Sequence, residues 1–129
     1  MTSNAEKVLA EDENPLSKYW YDKLESEAGK NWNIFYQRNQ ANFFKDRHYI
    51  LKEFPELRDT LASHGDLSSE KKGDTPKVVL FDPGCGVGNA FFPIIEKFPE
   101  AALVVHACDF AKEAVRLIKE HQLYQEDKV

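Results

Sequence analysis

Four residues at alternate positions, Asp82, Gly84, Gly86 and Gly88, form the part of this sequence best suited to chemistry. They follow an apolar run, residues 78–81, that predicts a β-strand, and they precede a predicted helix. Glycine lets the chain turn sharply at positive φ and brings the backbone against a ligand without an intervening Cβ. A glycine loop between a strand and a helix is typical of a nucleotide-binding site.

A second acid, Asp109, ends the next predicted strand, about twenty residues beyond the loop. A carboxylate at that position can accept hydrogen bonds from two ribose hydroxyls. The loop and the acid together therefore predict binding of a cofactor that contains a nucleoside.

Two cofactor classes compete for this loop. Dinucleotide enzymes use Gly-x-Gly-x-x-Gly, whereas this chain has acid-x-Gly-x-Gly-x-Gly. S-adenosylmethionine carries no phosphate, and its amino-acid end bears an ammonium group that Asp82 can favour. The spacing favours an S-adenosylmethionine-dependent methyltransferase, with a nicotinamide-dependent oxidoreductase as the rival enzyme. A truncated, non-catalytic RNA- or protein-binding product is the alternative outside the enzymes.

Residues 31–52 form a basic island in an acidic chain of net charge −5. Arg38, Lys45, Arg47 and Lys52 stand there against one acid, Asp46. The interleaved aromatic residues are Trp32, Phe35, Tyr36, Phe43, Phe44 and Tyr49. This combination suits phosphate contacts beside stacking surfaces for unpaired bases, but the aromatic side chains could equally fill an ordinary core.

The second half of the chain predicts an α/β fold with the order β-α-β-α. A helix over residues 89–98, with Pro93 in its first turn, follows the glycine loop. A second strand over residues 103–108 and a helix from about Lys112 complete the pattern. Because both strands are continuous apolar runs, they suit central positions covered on both faces of a parallel sheet, and we expect so short a piece to leave hydrophobic surface uncovered.

The chain divides into four predicted regions. Residues 1–13 are polar and predict a disordered N-terminus, and residues 14–61 predict a helical segment that covers the substrate and cofactor site. Residues 62–76 predict a surface linker because glycine, serine and proline replace apolar residues. Residues 77–129 then predict an incomplete Rossmann-like domain.

Three short helices are predicted before the linker. Asn14-Pro15 begins the first, in which Leu16, Trp20 and Leu24 share a face, and Gly29 ends it. The second covers residues 32–38. The third covers residues 47–54, with Asp46 as its cap and Pro55 preventing continuation.

Several site and location classes are disfavoured by the composition. Cys85 and Cys108 form no Cys-x-x-Cys pair, and the four histidines lack metal-ligand spacing, so we expect no metal. The first residues resemble neither a secretory signal nor a transit peptide, and no stretch is apolar enough for a membrane span. These features predict a cytoplasmic protein, with the nucleus as an alternative.

Several segments of the sequence resemble the methyltransferase-like tRNA 3-methylcytidine methyltransferases. Two lie before the linker: Trp-Asn-Ile-Phe-Tyr at 32–36 and Asn-Phe-Phe-Lys-Asp-Arg-His at 42–48. The others are the glycine loop, Phe92-Pro93 after it, and Ala-Cys-Asp-Phe at 107–110. The resemblance covers roughly residues 19–124, and the short linker is most similar to the branch acting on serine tRNA. One departure is Asp82-Pro83, where the family usually has glutamate followed by a small or branched apolar residue.

The resemblance implies the N-terminal half of a class I, Rossmann-like methyltransferase that uses S-adenosylmethionine to methylate N3 of an anticodon-loop cytidine. It implies cofactor contacts for Trp32, Tyr36, Gly84 and Asp109. It places the tRNA-binding region at Phe43, Phe44, Lys45, Asp46 and Arg47. The catalytic residues stay unknown, and an aminoacyl-tRNA synthetase is a further candidate partner. So short a piece is expected to be inactive and only marginally stable by itself.

Overall fold

The computed structural model describes residues 16–64 and 78–129. Within them lie seven elements: α1 (Lys18–Asn39), α2 (Ile50–Glu53), α3 (Pro55–His64), β1 (Val78–Pro83), α4 (Phe92–Lys97), β2 (Leu103–Cys108) and α5 (Lys112–Glu120). The predicted disordered residues 1–13, the Asn14-Pro15 helix start and most of the predicted linker lie outside the described residues.

The β-α-β-α order predicted for the second half is confirmed. β1 and β2 pair in parallel, from Val78 opposite Leu103 to Pro83 opposite Cys108. A parallel pair needs a crossover, which α4 and its flanking turns provide. The crossover brings the carboxyl ends of both strands to one edge of the sheet, where the glycine loop leaves β1. Along β2, the Val105 amide also donates a hydrogen bond to the Lys128 carbonyl (2.6 Å).

The main hydrophobic core lies on one face of this small sheet. Leu103 and Val105 point into it from alternate positions of β2, as the two-residue period of a strand requires. The buried residues packed with them are Leu51, Leu61, Cys85, Phe91, Phe92, Ile94, Ile95, Ala101 and Ile118. The core therefore joins α2 and α3 to the α/β half of the chain.

The opposite face of the sheet is exposed along β1. Val79 is 58% exposed and Phe81 is 70% exposed, so burial alternates along β1. Among the described residues no helix packs over these side chains to a degree that buries them. The two strands were expected to suit positions covered on both faces and to leave hydrophobic surface uncovered in so short a piece, and the exposure of Val79 and Phe81 agrees with the second expectation.

The helical segment also differs from the prediction of two separate helices before residue 40. α1 runs unbroken through Gly29, because an interior glycine costs a helix only about 1 kcal/mol relative to alanine. The predicted apolar stripe on its first half does not bury: Leu16, Trp20 and Leu24 are exposed. The second half anchors the helix, with Tyr36 as its buried residue.

Three further predicted boundaries were wrong: the bounds of the third helix, the start of the linker and the start of the helix after the glycine loop. The third helix was predicted over residues 47–54, but α2 covers only Ile50–Glu53 and Tyr49, not Asp46, occupies its cap position. Pro55 begins a new helix, because its missing N–H costs nothing in a first turn, and α3 includes residues 62–64 of the predicted linker. α4 begins at Phe92 rather than residue 89, with Pro93 in its first turn as predicted.

Replacing Gly29 and Gly88 separately by alanine tests the continuous helix and the tight loop. A Cβ at Gly29 meets nothing closer than 3.6 Å, so Gly29→Ala should raise the free energy of unfolding by about 0.5–1 kcal/mol. A Cβ at Gly88 would lie 2.5 Å from the Phe92 ring at a φ of +87°, so Gly88→Ala should lower it by about 1–3 kcal/mol. Urea unfolding of the protein that contains this chain measures both. Destabilisation by Gly29→Ala would contradict the unbroken helix.

Candidate functional site

A cavity of about 360 Å³ opens at the carboxyl ends of the two strands. The glycine loop forms its floor, and α1 and the segment after it form one wall. Its lining residues are Trp32, Tyr36, Phe44, Arg47, Asp82, Pro83, Gly84, Cys85, Gly86, Asn89, Ala90, Asp109 and Phe110. Crevices outside the carboxyl ends of parallel strands are where α/β sheets bind their ligands.

Most of the site residues predicted from the sequence lie around this cavity. The predicted cofactor residues that line it are Trp32, Tyr36, Asp82, Gly84, Gly86 and Asp109, and the predicted substrate residues that line it are Phe44 and Arg47. Gly88, Phe43, Lys45 and Asp46 lie outside its lining. The sequence analysis missed Pro83, Cys85, Asn89, Ala90 and Phe110, whose only signal was adjacency to the loop and to Asp109.

The loop glycines create the space that the cavity and its wall need. Gly84 and Gly86 have φ values of +71° and +55°, which side chains other than glycine rarely adopt. A Cβ on Gly84 would meet nothing within 4 Å, so that position is open. A Cβ on Gly86 would lie 2.6 Å from the Tyr36 hydroxyl oxygen. Gly86 therefore lets the buried tyrosine of α1 approach the loop.

Asp109 fixes the loop against the end of β2. Its Oδ2 accepts a hydrogen bond from the Gly86 amide (2.9 Å), and its Oδ1 accepts one from the Ala111 amide (2.8 Å). The Gly84 and Cys85 amides both donate to the Cys108 carbonyl, at 2.7 and 3.1 Å. Each carboxylate oxygen of Asp109 has a second lone pair, so it can hold the loop and still accept a ligand hydroxyl.

Asp82 presents a buried carboxylate oxygen without a partner. Its Oδ2 is inaccessible to solvent and makes no hydrogen bond. Burial raises the pKa of Asp82; the Arg47 guanidinium lowers it in part, and the Asp109 carboxylate raises it further. Buried polar atoms in proteins nearly always have a hydrogen-bond partner. The unsatisfied oxygen belongs to a carboxylate that lines the cavity, which marks Asp82 as a candidate ligand-binding group.

Cys85 lies between two of the loop glycines but does not add a nucleophile to the site. Burial, followed by the nearby carboxylates of Asp109 and Asp82, raises the pKa of its thiol to about 12. Because the thiolate is the reactive form, the protonated Cys85 contributes packing instead.

Trp32 and Tyr36 form the aromatic wall above the loop. Their rings stack with centroids 6.1 Å apart, one turn apart on α1. Tyr36 is only 5% exposed, and burial, followed by the charges of Asp109 and Cys85, raises the pKa of its phenol. The neutral hydroxyl remains a hydrogen-bond donor at the base of the cavity, while the exposed Trp32 offers a flat apolar surface.

The aromatic residues of the basic island neither join the main core nor stand free. Phe35 contacts Phe43 and Phe44 ring to ring, at centroid distances of 4.9 and 5.8 Å. Phe43 is nevertheless 59% exposed, and Phe44 and Tyr49 are exposed as well. The sequence left open whether these aromatic side chains fill a core or form an exposed stacking surface. The rings of this cluster pack against one another, and several of them are also exposed.

Residues 43–47, Phe-Phe-Lys-Asp-Arg, are fastened to the loop by Asn89. The Asn89 side-chain amide donates to the Phe44 carbonyl (3.3 Å) and to Asp46 Oδ1 (3.0 Å). The Arg47 amide in turn donates to the Asn89 carbonyl (2.8 Å). Asp46, predicted as a helix cap, instead accepts this hydrogen bond from the loop.

The described residues contain neither a candidate metal site nor a candidate membrane-spanning helix. Across residues 16–64 and 78–129, no group of three or more His, Cys, Asp or Glu side chains has an arrangement that could hold a metal ion. In the same ranges, no helix has the length and apolar character needed to cross a bilayer.

Comparison with known proteins decides the family. The chain is 39% identical over 128 residues to the human tRNA N(3)-cytidine methyltransferase METTL6, an alignment covering 99% of this chain and 41% of that protein. It is 36% identical over 114 residues to the Schizosaccharomyces pombe tRNA N(3)-methylcytidine methyltransferase trm141, covering 88% of this chain and 40% of the relative. The chain matches the N-terminal portion of the tRNA N(3)-cytidine methyltransferase family.

The match confirms the resemblance predicted from residues 32–48 and the glycine loop, and the chain corresponds to the N-terminal portion of the family. It spans about two fifths of the length of these two relatives. The Saccharomyces cerevisiae tRNA(Thr) (cytosine(32)-N(3))-methyltransferase is also 34% identical to the chain over 119 residues, covering 92% of this chain and 17% of that protein. No family model matches the chain. The relatives named here are methyltransferases, which gives no support to the nicotinamide-dependent alternative.

Replacing Asp82 by asparagine tests the cost of its buried carboxylate. Because the pKa of Asp82 is raised in the folded state, the folded protein binds this proton more tightly than the unfolded chain does. The free energy of unfolding therefore falls as the pH rises from the ordinary Asp pKa through the pKa in the folded state. Asp82→Asn should therefore stabilise the protein at pH 7, with the gain vanishing below about pH 4. Urea unfolding at several pH values measures this. The exposed Asp127→Asn is the control, and an equal pH dependence in both variants would contradict the burial of Asp82.

Proposed function

We propose that this chain forms the S-adenosylmethionine-binding part of a class I, Rossmann-like methyltransferase that produces 3-methylcytidine in the anticodon loop of a tRNA. Family membership supports the reaction class, and the parallel β-α-β unit with its glycine loop supports the fold. The observation that carries the cofactor assignment is the Asp82 carboxylate, which lines the cavity above that loop and has one oxygen without a hydrogen-bond partner.

The charges around the cavity suit the two ends of S-adenosylmethionine. Asp82 would attract the cofactor's ammonium group with its carboxylate, which lines the cavity. Asp109 would accept from the ribose hydroxyls with its remaining lone pairs, while Gly84 and Gly86 admit the ligand close to the backbone. Trp32 and Tyr36 would cover the bound cofactor from α1. Pro83 is compatible with this role, because it continues β1 and keeps Asp82 in extended geometry.

Bound S-adenosylmethionine supplies an activated methyl group, and the neutral cytidine ring offers a lone pair and no proton at N3. The site therefore requires no strong general base. The chain's own residues would bind and orient the two reactants, so that orientation and electrostatics provide the rate enhancement. This agrees with the protonated state of Cys85, which leaves no thiolate beside the reacting atoms.

The tRNA is proposed to approach over residues 43–47 at the mouth of the cavity. Phe43 and Phe44 are exposed aromatic surfaces for unstacked bases, and Lys45 and Arg47 supply positive charge in an otherwise acidic chain. Serine tRNA is the proposed substrate, an aminoacyl-tRNA synthetase is a candidate partner, and the cytoplasm, with the nucleus as an alternative, is the proposed location.

We further propose that residues 1–129 alone do not turn over substrate. The exposed Val79 and Phe81 face of the sheet and the two-strand sheet support this, because a Rossmann-like domain uses further strands and covering helices. The second candidate function, a non-catalytic RNA- or protein-binding product, would be favoured if the chain bound tRNA without binding S-adenosylmethionine.

Replacing Asp109 by alanine tests the cofactor assignment. Loss of the ribose acceptor and of the Gly86 tether should weaken S-adenosylmethionine binding by at least about tenfold, the expected effect of losing a hydrogen bond to a charged group. Calorimetry on the protein that contains this chain measures it, with Asp127→Ala as the control. Parental affinity in Asp109→Ala would refute the ribose contact, and binding of a nicotinamide cofactor in its place would reverse the choice of enzyme class.

Replacing Lys45 and Arg47 together by alanine tests the tRNA surface. If both side chains meet phosphates, tRNA affinity should fall and its dependence on salt should become shallower, by up to about 0.7–0.9 in log–log slope per lost contact. Filter binding over a salt series measures the slope, with the exposed pair Lys30 and Lys119 as the matched control. An unchanged slope would remove these residues from the phosphate contacts. Residues 1–129 alone serve as the negative control in the methylation assay.

A further inference from the structure

The segment proposed to receive the tRNA has one hydrogen-bonded attachment to the rest of the described structure. For residues 40–49, every other hydrogen bond within the described residues joins neighbours in the same helical region. The exceptions all involve Asn89: its side-chain amide donates to the Phe44 carbonyl and to Asp46 Oδ1, and its carbonyl accepts from the Arg47 amide. One residue thus holds three positions of this segment, Phe44, Asp46 and Arg47.

Asn89 is placed to sense the cofactor cavity as well. It directly follows Gly88, the last glycine of the loop, and its side chain lines the cavity. Arg47, which its carbonyl holds, lines the same cavity and also a second cleft of about 230 Å³ that includes His48 and Lys97. Any adjustment of the glycine loop around a ligand would therefore move Asn89, and with it the position of Arg47 between the two cavities.

The two phenylalanines at the start of the segment also contact α1 through their rings. Phe43 and Phe44 pack on Phe35 of α1, and both remain exposed. Asp46, Arg47 and His48 are exposed too. With so little burial, the orientation of the segment's second half depends on the hydrogen bonds to Asn89, because few apolar contacts oppose its movement.

We propose that Asn89 is a positioning residue that couples the two ligands, so that filling the cofactor cavity orders residues 43–47 and raises the affinity for tRNA. This inference rests on the proposed function. A ligand that rigidifies a segment reduces the entropy that a second ligand must still lose on binding. By linkage, tRNA would raise the affinity for the cofactor by the same factor.

The chemistry of the contact allows a charge-swap test. Asn89→Asp removes the amide donor and places a carboxylate against Asp46, which should repel the segment. Asp46→Asn keeps an acceptor oxygen for the Asn89 amide and should retain the contact. The double variant Asn89→Asp with Asp46→Asn restores a donor–acceptor pair in the reversed direction. Asn42→Asp, in the same segment but with no side-chain hydrogen bond to the described residues, is the matched control.

The experiment measures the dissociation constant of an unmodified tRNA transcript with and without saturating S-adenosylhomocysteine, which binds like the cofactor but carries no methyl group to transfer. It uses the protein that contains this chain. We expect S-adenosylhomocysteine to tighten tRNA binding by about fivefold or more in the parent, Asp46→Asn and Asn42→Asp, as is typical of coupled sites. The factor should fall toward one in Asn89→Asp and recover in part in the double variant.

The outcomes separate this inference from the proposed function. Binding of S-adenosylhomocysteine by the parent, with equal coupling in Asn89→Asp, would overturn the role of Asn89 alone. A parent that binds no S-adenosylhomocysteine would overturn both proposals. Because Asn89→Asp could fail to fold, thermal melts accompany each variant, and recovery in the double variant carries the test. A well-folded double variant without recovered coupling would also overturn the inference.

Discussion

The hydrogen bonds that tie the glycine loop to the carboxyl end of β2 determine where the rest of the site lies. Two loop amides donate to the Cys108 carbonyl, and the Gly86 amide donates to Asp109. With the loop fixed in this way, the missing Cβ of Gly86 leaves the place that the Tyr36 hydroxyl occupies. The helix that carries Tyr36 then brings Trp32 to the cavity, and Asn89 at the loop's far end receives residues 44–47. Asp109 is thus a structural residue as well as a candidate ligand-binding one.

The proposed cofactor site contains a carboxylate whose burial lowers the stability of the fold. A buried carboxylate oxygen without a partner, as in Asp82, opposes folding, and burial raises its pKa for that reason. Perturbed groups of this kind gather at functional sites, where a ligand supplies the missing interaction. The positive charge of Arg47 offsets part of this free-energy cost. Arg47 belongs to residues 43–47, the segment proposed to contact tRNA. The regions proposed for the cofactor and the substrate therefore share an electrostatic as well as a hydrogen-bonded connection.

Much of the α/β half followed from the sequence because its signals are local. The apolar runs of β1 and β2, the alternating glycines and the position of Pro93 each act within a few residues, and the structure agrees with them. The helical half was harder to predict because tertiary contacts add to local preferences. Gly29 weakens a helix without ending it, and α1 passes through it, with the Asn33 side chain accepting a hydrogen bond from the Glu113 amide at the start of α5. Pro55 was correctly placed at a boundary, but it begins a helix as well as following one. The role of Asn89 had no sequence signal beyond its place after Gly88, since its partners are more than forty residues away.

The most direct measurement of the central claim is a crystal structure, with S-adenosylhomocysteine bound, of the protein that contains this chain. We expect the ligand's amino group within hydrogen-bond distance of the Asp82 carboxylate, about 2.7–3.2 Å, and its ribose hydroxyls at Asp109. A ligand bound elsewhere, or one whose amino group does not contact the Asp82 carboxylate, would contradict the cofactor assignment.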